Sequence, residues 1–89
     1  MAKKRRKLNK DFEKKIYSSK KNVELVLAKI YDIDDEDIQK EYMGAFNGVV
    51  CLYDLLKEDY EQKGFNDNSE EVLKNYKNAF KLFETEFEI

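Results

Sequence analysis

Residues Tyr42–Leu56, YMGAFNGVVCLYDLL, constrain the fold more than any other part of the chain. Only Asn47 and Asp54 interrupt a run of otherwise apolar or small side chains. Wound as a helix, the run makes about four turns with apolar groups on every face. A helix on the surface of a domain needs an apolar stripe on one face only. This one therefore requires packing partners on two sides. It is shorter than the roughly 20 apolar residues that cross a bilayer, and charges flank it closely.

Apolar residues in alternating steps of four and three predict three helices. The first, over about residues 10–31, carries Phe12, Ile16, Ser19, Val23, Val26 and Ile30, with Asn9 as its cap. The second, over about 36–63, carries Ile38, Tyr42, Ala45, Val49, Leu52, Leu56 and Tyr60 and continues through Asn47-Gly48. Gly64 is expected to close it in the left-handed conformation, with Phe65 folded back on Tyr60 in a Schellman motif. The third, over about 69–87, carries Val72, Tyr76, Ala79, Phe83 and Phe87. Asp67 with Glu70, or Asn68 with Glu71, has the spacing of a capping box at its start.

The expected fold is therefore all-α, an antiparallel three-helix bundle formed by residues 9–89 as one domain. Residues 1–8 are expected to form a flexible basic arm. The predicted core is Phe12, Ile16, Val23, Ile30, Ile38, Tyr42, Val49, Leu52, Leu56, Val72, Tyr76 and Phe83.

Charge is distributed unevenly. The whole chain carries −2, but residues 1–31 carry +8, residues 32–65 carry −7 and residues 66–89 carry −3. The abundance of Lys, Glu, Asp, Asn, Tyr and Ile suits an AT-rich genome, such as that of a low-GC bacterium or its phage. Cys51 is the one cysteine. It reads as a small buried hydrophobe in a reducing compartment, so the expected location is cytoplasmic. The basic start is followed by charge, not by the apolar core of a secretory signal.

The inventory for catalysis is poor. There is no histidine, no tryptophan and one cysteine, which removes Ser-His and Cys-His nucleophile systems and histidine-containing zinc sites. The acids Asp32, Asp34, Asp35, Glu36 and Asp37 lack the glycine and spacing of a calcium loop, and read as a helix start. No glycine-rich loop is present to cradle a phosphate. The expectation is a protein that is not an enzyme, with no cofactor and no metal.

Three surfaces stand out. More apolar residues occupy the second helix than one seam needs, so Met43, Gly44, Phe46, Gly48, Val50 and Tyr53 form the expected protein interface. Gly44, Gly48 and Cys51 would let another backbone approach closely, either that of the first or third helix of the same chain or that of a second copy in a homodimer or a target protein. Glu41, Asp54, Glu58, Asp59 and Glu61 form an expected acidic face for a basic partner. The expected function is that of a protein-binding inhibitor, adaptor or regulator; a phage-encoded protein acting on a host defence or replication factor fits the composition. In the alternative, Lys3, Lys4, Arg5, Arg6, Lys7, Lys10, Lys14 and Lys15 hold nucleic-acid phosphates. A structural homo-oligomer is the third expectation. No membrane partner is expected.

Overall fold

The computed structural model describes residues 7–89. Three helices follow one another: α1 (Lys10–Tyr31), α2 (Glu36–Lys63) and α3 (Ser69–Glu86). Short links make α1 and α3 both antiparallel to α2, and the bundle is elongated, 56 × 23 × 17 Å. The helix limits follow the apolar periodicity, and neither Ser18-Ser19 nor Asn47-Gly48 breaks its helix. Among the described residues no helix is long and apolar enough to cross a membrane.

The helix starts have identifiable causes. Asn9 Oδ1 accepts the Phe12 N–H at 3.0 Å, and Asp11 and Glu13 face the positive end of the α1 dipole. Asp35 does the same for α2 by accepting from the N–H groups of Asp37 and Ile38. Gln39 Nε2 donates to the carbonyls of Ile30 and Tyr31, so the second helix helps to satisfy the end of the first.

The other two junctions differ from expectation. Gly64 has positive φ, but its backbone (φ 72, ψ −163) lies outside the left-handed helical region. Its N–H still donates to the Tyr60 carbonyl at 2.7 Å, but the extended ψ turns the next amide away from the helix. The Phe65 N–H therefore donates to the Lys7 carbonyl at 2.6 Å, and the Phe65 ring packs edge-on against Phe12 at 5.2 Å. There is no Schellman close at this point.

Lys7, within the expected arm, is consequently bridged to Gly64. The rest of the expected arm, residues 1–6, lies outside the described residues. At α3 the capping boxes do not form, and the cap Asn68 makes no side-chain cap bond. Asn66 takes over: it accepts from the Asn68 N–H and donates to Asp59 and to the Gly64 carbonyl, while its N–H donates to Ser69 Oγ.

The core is organised around α2. This helix packs on both α1 and α3, which touch each other much less. Its buried line is Phe46, Val49, Tyr53, Leu56 and Tyr60. Phe12, Val23, Val26 and Ile30 meet it from one side and Leu73, Tyr76, Phe80 and Phe83 from the other. Of the predicted core, Ile16, Tyr42, Leu52 and Val72 are half-buried at the margins and Ile38 is exposed. A helix with two partners buries the strip between its two seams. The predicted seam follows only the one turned toward α3.

Candidate functional site

The residues of the expected interface on α2 divide: Phe46 and Tyr53 are buried, whereas Met43, Gly44 and Val50 line a shallow groove beside Leu27 of α1. Phe46 is fully buried, with its ring 4.8 Å from Phe83 and 6.2 Å from Phe80 in edge-on arrangements. Tyr53 is buried against Tyr76 at 6.0 Å. Met43 and Val50 are half-buried beside Leu27 of α1. The surplus of apolar residues is thus shared: α3 takes the Phe46 and Tyr53 rings, and Leu27 of α1 lies beside Met43 and Val50. A Cβ built at Gly44 or Gly48 would meet nothing within 4 Å. Cys51 is exposed, not buried as expected. Close backbone approach is not what these small residues provide within the chain.

The acidic residues are not gathered either. Glu41, Asp54, Glu58 and Glu61 are exposed, but at 100° per residue Glu41 turns toward α3 while Asp54 and Glu61 turn toward α1. Asp59 serves the fold: it pairs with Lys63 at 3.5 Å and accepts from Asn66 Nδ2 at 2.9 Å.

A different surface lies between α2 and α3. Ile38 and Leu82, 44% and 68% exposed, open onto one groove of about 540 Å³. Ala45 lies on the α2 wall, two turns after Ile38, and the Tyr42 and Phe83 rings form the base. Leu55 is exposed farther along α2. The rim is acidic, with Glu41 from α2 and Glu86 from α3. The Tyr42 hydroxyl donates to Glu86 Oε1, and its ring lies 5.3 Å from Phe87. That hydrogen bond to a carboxylate, followed by burial and by the charges of Glu86 and Glu41, holds the Tyr42 phenol above its ordinary pKa. The groove is thus an apolar trough with negative edges, pinned across the two helices by Tyr42.

The apolar spacing assigns Ile38 to the core and leaves Leu82 unassigned, yet both side chains are exposed. Leu82 is an aliphatic residue outside the seam of α3, next to Phe83, and that offset is the signal that marks it. Of the lysines expected to hold phosphates, Lys10, Lys14 and Lys15 are exposed on α1, and Lys7 stacks over the Phe65 ring at 6.0 Å. Lys3, Lys4, Arg5 and Arg6 lie outside the described residues. Among the described residues no group of three or more Cys, Asp and Glu side chains is arranged to hold a metal ion.

No protein-family model, curated protein or solved structure matches the chain.

Proposed function

We propose that the chain is a non-enzymatic adaptor, inhibitor or regulator that docks a partner protein in the groove between α2 and α3. One observation carries this: two large aliphatic side chains, Ile38 and Leu82, remain exposed on opposite walls of one groove with an acidic rim. Single exposed aliphatics are ordinary on a protein surface. A pair that shares a groove makes a contiguous apolar patch of the kind partners cover. The rim adds selectivity. Glu41 and Glu86 favour an amphipathic helix with aliphatic anchors flanked by Lys or Arg.

A second copy of the chain is a poorer occupant. A two-fold contact in this groove would set the acids of one rim against the same acids of the other. Cytoplasmic location, a phage source and a host defence or replication factor as target belong to the same proposal on the strength of composition alone.

The test is capture from one host lysate by the immobilised full chain and by an I38E/L82E variant. Both positions are exposed, so the variant should keep its helical circular dichroism. A protein held by the parent and lost by the variant is the expected result. Equal retention by both, or none by the parent, would remove the groove as a docking site. Sedimentation should give a monomer; a dimer abolished by I38E/L82E would favour the homo-oligomer.

A further inference from the structure

The opposite flank of α3 faces α1 across a second, polar cleft of about 500 Å³. α1 and α3 run parallel to each other, because each is antiparallel to α2. Lys14 and Lys15 line one wall, and Lys77 and Lys81 line the other. Lys77 and Lys81 are one turn apart, about 6 Å along the axis. Among the described residues no carboxylate lies within 4 Å of any of these four ammonium groups. The single acid lining the cleft is Glu84.

The chain has more acidic than basic residues, 19 against 17, yet only Glu84 lines this cleft, whose lining stays net positive. Four like charges on two facing walls raise the local potential and concentrate anions there.

We propose that this cleft binds the phosphodiester backbone of a nucleic acid and does not read its bases. The floor explains the second half of the statement. Tyr76 and Phe80 lie beneath the lysines, but both rings are buried, and the Tyr76 hydroxyl donates to the Ser19 carbonyl at 3.3 Å. No ring face is presented for a base to stack on, which is how single strands are usually gripped beyond their charge. Apart from Glu84, what remains at the rim is cationic or neutral and polar: the lysines, Ser18, Asn22 and Asn78. These groups suit phosphate oxygens, which position a nucleic acid without specifying its sequence.

The experiment is fluorescence anisotropy of the full chain with a labelled mixed-sequence oligonucleotide of roughly 20 nucleotides, single-stranded and as its duplex, over a salt series. Four neutralised phosphates give a log–log salt slope near −2.8 on a single strand, so affinity from the cleft alone falls about 50-fold between 50 and 200 mM salt. Each of K14Q/K15Q and K77Q/K81Q should lower the slope by about 1.4, whatever the residues before Lys7 contribute. K40Q/K57Q, which removes two charges from α2, should leave it unchanged. Scrambling the oligonucleotide should not change affinity.

Absence of binding to either form at 50 mM salt would overturn the proposal. So would slopes in both cleft variants equal to that of the K40Q/K57Q control. A strong preference for one sequence would refute backbone-only recognition. Binding to anionic vesicles but to neither oligonucleotide would assign the cleft to a membrane surface instead. All six substituted lysines are exposed, so loss of fold, checked by circular dichroism, is not an expected cause of any of these outcomes.

Discussion

Phe46 and Gly48 are two residues apart on α2 and should respond to alanine with opposite signs. The Phe46 side chain is fully buried and makes edge-on contacts with Phe83 at 4.8 Å and Phe80 at 6.2 Å. Truncation of a buried phenylalanine costs about 3–5 kcal/mol. Two aromatic pairs, each contributing about 0.5–1.5 kcal/mol beyond area, place Phe46→Ala in the upper half of that range. Gly48 lies in the helix interior with nothing within 4 Å of a built Cβ. Gly48→Ala should therefore stabilise by about 0.5–1 kcal/mol, through the reduced entropy of the unfolded chain. The assay is urea unfolding followed by circular dichroism. At about 1 kcal/mol per molar urea, the midpoint should fall by about 4–5 M for Phe46→Ala and rise by about 0.5–1 M for Gly48→Ala. A domain of this size has roughly 4–13 kcal/mol in total, so Phe46→Ala approaches complete unfolding. Phe46→Leu, which keeps part of the volume, provides a graded point. A loss under about 1 kcal/mol at Phe46, or a destabilising Gly48→Ala, would mean that α2 presents the opposite face to its neighbours.

Other consequences concern the tyrosines and the α2–α3 link. Burial, the largest cause, pushes the Tyr76 phenol from 10.0 up to about 12. The fold holds the neutral form, so its contribution is intact below pH 10, falls between pH 10 and about pH 12, and levels off above that. The loss should reach roughly 2–3 kcal/mol, and Tyr76→Phe should flatten this part of a stability-versus-pH curve. Gly64→Ala places a side chain at φ 72, ψ −163 and should destabilise by about 1–3 kcal/mol in the same urea assay. Asn66→Ala strips bonds from Asp59, the Gly64 carbonyl and the Asn68 N–H and should cost about 1–3 kcal/mol, whereas Asp67→Ala should stay within about 0.5 kcal/mol because no capping box forms.

The helices were legible in the sequence because their signals are local. A phase kept over six or seven turns, an Asn9 cap and a glycine with positive φ each depend on a few neighbouring residues. What local pattern does not reveal is mostly tertiary. Asn66 acts at the start of α3 through Asp59 and the Gly64 carbonyl, which belong to the preceding helix and its exit. The Lys7 carbonyl meets the Phe65 N–H because of the ψ of a residue 57 positions away. Phe46 and Tyr53 lie off the single heptad seam of α2, yet both are buried. The run Tyr42–Leu56 requires partners on two sides of that helix, and α1 and α3 are those partners.

The same arrangement explains how one small chain presents two unlike surfaces. With α2 as the spine, each flank of α3 faces a different neighbour. Leu82 lies on the flank toward α2, and Lys81, the preceding residue, lines the cleft toward α1. Adjacent residues on a helix are turned by about 100°, so the two side chains enter separate grooves. An acidic-rimmed apolar groove attracts a cationic partner, and a lysine-lined cleft attracts an anionic one. The near-neutral total of −2 conceals this division. Under the two proposals, a protein partner and a phosphate backbone would lie on opposite flanks of α3.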